Sequence, residues 1–130
     1  MLVVDASVAV AAAFAPAGFV QFAGEALAAP ALMWSEARSV LRLGLWRGLV
    51  EEGDAALALD HLEDAPIERV HHEQLGREAW SIAAELGWAR TYDAEYLALA
   101  RLLDCRVVTV DARLLRGTRR LGFVVAPSDL

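Results

Sequence analysis

Short apolar runs alternate along this chain with alanine- and leucine-rich stretches, and that alternation leaves few folds open. Residues 2–4, 31–33, 67–71, 106–110 and 123–125 read as strands, several of them β-branched. Between them, residues 6–14, 19–28, 35–47, 51–63, 73–86 and 92–103 read as helices. Pro16 and Gly18, Gly48, Pro66 and Gly87 punctuate these helices where each is expected to stop. The helix over 92–103 is apolar nearly all round, so it is expected to be buried. Strands separated by helices imply an α/β fold with a parallel sheet covered on both faces. Right-handed crossovers then restrict the topology, and ligands in such open sheets bind beyond the carboxyl ends of the strands. With 130 residues, no repeat and no linker, one domain over residues 1–130 is expected.

Composition narrows the chemistry. The chain has no lysine, so a phosphate-binding GxxxxGK[ST] loop is impossible. Receiver domains and haloacid-dehalogenase-like phosphatases also place an Asp after a strand, and both rely on a lysine this chain lacks. Cys105 is the only cysteine, which excludes an intrachain disulfide and a thiolate metal cluster and makes the cytoplasm the expected compartment. The alanine-rich first twenty residues carry Asp5 and Pro16 and no basic residue, so a cleaved signal is not expected. No apolar run is long enough to cross a bilayer. Net charge is −6, a poor general match to nucleic acid, but the charge is uneven. Residues 51–64 hold six acids and no base, whereas 113–120 hold Arg113, Arg116, Arg119 and Arg120 and no acid. RNA, if bound, is expected near the second stretch and far from the first.

Four acids stand out by position. Asp5 and Asp111 follow strands directly, and Glu36 and Asp93 are expected in the first turns of their helices. All four are therefore expected at the carboxyl edge of the sheet. Singly, each is as readable as a cap or a turn residue. Jointly, four crowded carboxylates require raised pKa values or a bound cation. An all-oxygen donor set suits Mg²⁺ or Mn²⁺, and the absence of His or Cys ligands argues against zinc. Such ions activate water and stabilise charge in phosphodiester cleavage.

The segments Val3-Val4-Asp5-Ala6-Ser7, Ser35-Glu36-Ala37 leading into Leu41, Tyr92-Asp93-Ala94-Glu95-Tyr96-Leu97-Ala98-Leu99-Ala100 and Val108-Thr109-Val110-Asp111 resemble the four motifs of PIN domains, in order and spacing. The Tyr-Asp-Ala helix followed by Thr-x-Asp is similar to the VapC toxin branch. The resemblance implies a three-layer α/β/α sandwich with a short, mainly parallel sheet. It implies that Asp5, Glu36, Asp93 and Asp111 hold one or two Mg²⁺ or Mn²⁺ ions, with Ser7 and Thr109 supporting them by hydrogen bonds. It further implies a metal-dependent endoribonuclease acting on tRNA or ribosomal RNA, held inactive by a small antitoxin in its active-site groove, and a homodimer. One departure is Ser39, where the family often has Asn three residues after the helix glutamate. A housekeeping PIN nuclease, a PIN-like binding module without catalysis and a small phosphatase are the alternative readings.

Among other residues, Arg38, Arg90, Arg113 and Arg116 are candidate RNA contacts, since guanidinium grips phosphate in bidentate fashion. His71 and His72, after a strand taken as central, read as structural, and Cys105 as a small core residue. Trp34, Trp46, Trp80 and Trp88 are either base-stacking or core and interface anchors, with Trp46 a candidate for a dimer or antitoxin surface.

Overall fold

Strand β1 (Leu2–Val4) is three β-branched or leucine residues with no polar atom to solvate, and all three are buried. It occupies the middle of a five-stranded, all-parallel sheet in the computed structural model, which describes all 130 residues. The order is β3-β2-β1-β4-β5, with β2 at Leu27–Ala29, β3 at Ile67–Arg69, β4 at Arg106–Val108 and β5 at Val124–Val125. Leu2, Val3 and Val4 pair with Arg106, Val107 and Val108 on one side, and Leu2 and Val3 pair with Leu27 and Ala28 on the other.

The helices are α1 (Ala6–Phe14), α2 (Leu32–Trp46), α3 (Glu52–Glu63), α4 (Leu75–Leu86), α5 (Tyr92–Leu102) and α6 (Ala112–Gly117). From β1 the chain steps outward to β2 and β3, then recrosses to β4 and β5. Right-handed crossovers therefore put α1–α3 on one face and α4–α6 on the other. Helices α1, α2 and α3 pack on one another, and α5 lies on α4 and on β1 and β4. Ala94 and the run Tyr96 to Ala100 of α5 are all buried, as an apolar helix facing a sheet requires. Gly87 ends α4 in the left-handed region at φ 71°, the role its position after residue 86 predicts. No helix is long and apolar enough to cross a membrane.

The segment 19–33 departs from expectation. In place of a helix over 19–28 there is one turn of 3-10 helix, Val20–Phe22, followed by β2. In place of a strand over 31–33, α2 has already begun at Leu32. Leu-Ala-Ala has helical propensity, but pairing with β1 and β3 on both sides overrides it, and Pro30 fits just before a helix start. Strands β3 and β4 are also shorter than expected, stopping at Arg69 and Val108, and β3 is an edge strand, so His71 and His72 follow an edge rather than a central strand. The short α6 was not anticipated.

Leu99, fully buried on α5, tests whether this packing holds the sheet's middle. Leu99→Ala is expected to destabilise the protein by about 2–5 kcal/mol, as a lower urea midpoint at unchanged slope.

Candidate active site

Strand order reverses at β1, whose neighbours β2 and β4 leave the chain in opposite directions, and a crevice opens at the carboxyl ends of β1 and β4. Asp5 leaves β1 there, and its backbone N–H still reaches Val108 O of β4 at 3.5 Å. Its side chain caps α1, Oδ1 accepting from Val8 N–H at 3.1 Å. The capping reading and the site reading of Asp5 thus describe one side chain. Ser7 Oγ donates to the same Oδ1 at 2.6 Å, and Thr109 Oγ1 donates to Oδ2 at 2.5 Å. In turn, Val110 N–H donates to Ser7 Oγ and Asp111 N–H to Thr109 Oγ1, at 3.2 and 3.0 Å. Each hydroxyl has one proton and spends it on Asp5, so the 3.2 Å approach of Ser7 to Thr109 adds no further bond. Two hydroxyls and a carboxylate therefore lace the end of β1 to the end of β4.

Glu36 lies in the second turn of α2, because the helix starts three residues earlier than expected. Tyr96, three residues after Asp93 on α5 and so on the same helix face, donates its hydroxyl to Glu36 Oε1 at 2.9 Å. Asp93 sits in the first turn of α5. Asp111 lies three residues beyond β4 and caps α6, accepting from Arg113 N–H at 2.9 Å and Leu114 N–H at 3.4 Å. Asp5, Glu36, Asp93 and Asp111 line one pocket of about 390 Å³ together with Ser7 and Tyr96. An adjoining pocket of about 460 Å³ shares Glu36, Asp93 and Asp111 and adds Arg90 and Arg113.

Burial and repulsion set the electrostatics. The Asp5 carboxyl is pushed above its ordinary range chiefly by loss of water, against the pull of its three hydrogen bonds, with Asp111 repelling it further. Glu36 is raised by partial burial and by Asp93, Asp5 and Glu95, while the Tyr96 hydroxyl pulls the other way. Asp93 is open to solvent at the rim, yet its carboxyl is enclosed enough to be raised first by desolvation and then by Asp111 and Asp5; Arg113 opposes. The Tyr96 phenol is pushed far up by burial and by Glu36, so it stays protonated as a donor.

No three of these side chains form a closed cage for an ion as they stand. The donor chemistry nevertheless fits a hard divalent cation. All four donors are carboxylates, and three of them are raised by burial and by one another's charge, the setting in which an all-oxygen cluster favours such an ion.

The arginines divide. Arg90 and Arg113 line the adjoining pocket. Arg38 faces elsewhere, in a two-point ion pair with Glu63 on α3 at 2.6 and 3.1 Å. Two residues apart on a helix cannot share a face, which separates Arg38 from Glu36. Arg116 lines neither carboxylate pocket, and Arg120 bonds to Glu85 O at the end of α4. His72 accepts Gln74 N–H in its own loop. Trp34 is buried, with Arg69 stacked 4.4 Å from its ring centroid, and Trp46 and Trp80 are exposed away from the pockets. Sequence reasoning passed over Tyr96 and Glu95, although Asp93 and Tyr96 at i, i+3 already share a helix face.

A family model described as the PIN domain matches residues 2–119. The chain is 38% identical over 115 residues, covering 88% of each chain, to VapC ribonuclease Mb0985 of Mycobacterium bovis and to ribonuclease VapC9 of Mycobacterium tuberculosis. Its fold is similar to the crystal structure of PAE2754 from Pyrobaculum aerophilum, at TM-score 0.76 and 26% identity over 98% of this chain and 91% of that one.

Two measurements probe the electrostatics. Tyr96→Phe keeps the ring but removes the bond to Glu36, so the Glu36 carboxyl is expected to titrate still higher by NMR, with stability lower by about 1 kcal/mol. An unmoved Glu36 would refute its coupling to Tyr96. Asp93 is raised in the fold, so its favourable contribution is complete below its ordinary pKa near 3.8 and is lost as pH rises through the folded value. In metal-free buffer, Asp93→Asn is therefore expected to equal or exceed the parent in stability at neutral pH, with the difference vanishing towards about pH 3–4.

Proposed function

The chain belongs to the PIN domain family, and from that premise we propose that it is a metal-dependent endoribonuclease, the toxin of a toxin–antitoxin pair. The observation that supports this most is the convergence of Asp5, Glu36, Asp93 and Asp111, drawn from four distant parts of the chain, on one pocket. Relatives that carry the name ribonuclease align over nearly the whole length.

In this reading the four acids hold Mg²⁺ or Mn²⁺, one or two ions. When bound, the metal supplies a Lewis acid for the phosphoryl oxygens and lowers the pKa of an attacking water. The chain's own residues prepare the place. Ser7 and Thr109 fix both oxygens of Asp5, so it meets a cation without reorganising. Tyr96 orients Glu36 and keeps it more acidic than burial alone would. Asp111 is pinned by the first turn of α6, and Asp93 remains the freest of the four. Arg90 and Arg113 put positive charge beside an otherwise anionic site, where the RNA backbone needs it. The proposed substrates are cellular RNAs of the tRNA or ribosomal class. The proposed partners are a small antitoxin that covers the groove and a second copy of the chain, in the cytoplasm.

Purified protein incubated with total cellular RNA in Mg²⁺ or Mn²⁺ is expected to give discrete fragments, and EDTA to abolish them. Asp5→Asn is expected to lower the rate by on the order of a hundredfold or more while the circular dichroism stays native. Fragments that persist in EDTA or with Asp5→Asn would overturn the metal site. No cleavage by folded, metal-supplied protein would favour a PIN-like binding module.

A further inference from the structure

The carboxylate pocket continues sideways into the chamber of about 460 Å³. Its further walls are Trp88, Arg90, Tyr92, Arg113, Leu114 and Gly117, none of them needed to hold a cation. That volume lies within the roughly 300–1,000 Å³ typical of small-ligand sites. Its chemistry is of two kinds. Tyr92 is 58% exposed at the first position of α5, beside Asp93, an aromatic ring left in water without a hydrogen-bond partner. Trp88 is half-buried and rests against the end of α6, where a Cβ on Gly117 would lie 3.9 Å from Trp88 Cζ2. Because Gly117 carries no side chain, the chamber stays open beside that indole. Arg90 and Arg113 make no ion pair, unlike Arg38 and Arg101, which are committed to Glu63 and to Glu78 and Glu85.

Aromatic faces next to uncommitted guanidinium groups form the usual footprint for single-stranded nucleic acid. Resting on the nuclease reading of the adjoining carboxylates, we infer that this chamber receives one unstacked nucleobase of single-stranded RNA beside the scissile phosphate. Tyr92 and Trp88 supply the stacking surfaces, and Arg90 and Arg113 contact the flanking phosphates. The base must leave its own stack to enter, so the substrate is an unpaired segment. An A-form duplex keeps its bases stacked and cannot offer one. Stacking accepts every base by its π-face, so the chamber demands the presence of a base more than its identity.

The test couples the protein to the RNA. Wild-type protein in Mn²⁺ first maps a cut in a single-stranded oligoribonucleotide of mixed sequence, and an abasic nucleotide is then walked through the positions flanking that cut. One position is expected to lower kcat/KM by about ten- to hundredfold, the loss of one stacked base. Tyr92→Ala is expected to lower cleavage of the intact oligonucleotide similarly and to remove most of the abasic penalty at that position alone. Gly117→Leu, which fills the chamber from a backbone that tolerates a side chain, is expected to act in the same direction and guards against a folding artefact of any one variant. The intact oligonucleotide should also bind an uncut Asp5→Asn background at least about tenfold more tightly than that background carrying Tyr92→Ala. The duplex of the same sequence should be cut poorly.

Cleavage that is indifferent to Tyr92→Ala and Gly117→Leu, or an abasic penalty that is unchanged in Tyr92→Ala, would overturn the inference and leave the nuclease reading intact. Duplex cut as readily as single strand would also overturn it. Absence of both cleavage and oligonucleotide binding would sink the nuclease reading and this inference together. Coupling seen in binding without any cleavage would keep the base site and remove the catalysis.

Discussion

Asp5 holds the site together by a simple constraint. A carboxylate with 5% of its surface exposed must have its lone pairs satisfied by protein, and three donors do so. Two of them come from within three residues along α1, and the third is Thr109, just past the end of β4 and more than a hundred residues away. The same Thr109 hydroxyl and the Ser7 hydroxyl then accept the backbone N–H groups of Asp111 and Val110. The polar network that solvates Asp5 is therefore what places Asp111. The positions of Glu36 and Asp93 depend on it less directly, through the packing of α2 on α1, the helix Asp5 caps, and of α5 on β1 and β4.

A second constraint is charge. The chain is acidic overall, and its densest acidic stretch lies on α3, in the helix layer of α1 and α2. The two arginines that face the carboxylate pockets come from the loop before α5 and from α6, in the opposite layer. Net charge would predict repulsion of RNA, but association follows the local field, and the densest acidic stretch is held in the layer opposite these two arginines. Arg38 shows the converse. It is near Glu36 in sequence, yet it spends its charge on Glu63 across the α2–α3 contact.

How legible the molecule was depends on what each element rests on. Strand β1, helices α1 and α3 and the burial of α5 were readable because local pattern and tertiary role agree there. Residues 19–33 were misread because Leu-Ala-Ala is helical by propensity and a strand only by virtue of two neighbours distant in sequence. The four acids fall at one edge even so, because their placement depends only on where strands end and helices begin. That is why starting α2 three residues early moved Glu36 by most of a turn without removing it from the pocket.

The sequence by itself determined the residue types and the fold class: carboxylates after β-branched strands, no lysine, and alternation that admits a parallel sheet open at one edge. These follow from local periodicity and covalent chemistry. Only the tertiary structure decided that Tyr96 holds Glu36, that Arg90 and Arg113 rather than Arg38 or Arg116 face the site, and that Trp88 and Tyr92 wall a chamber beside it. Such facts depend on the relative rotation and approach of elements far apart in the chain. That geometry is set by core packing, which no local stretch of sequence encodes.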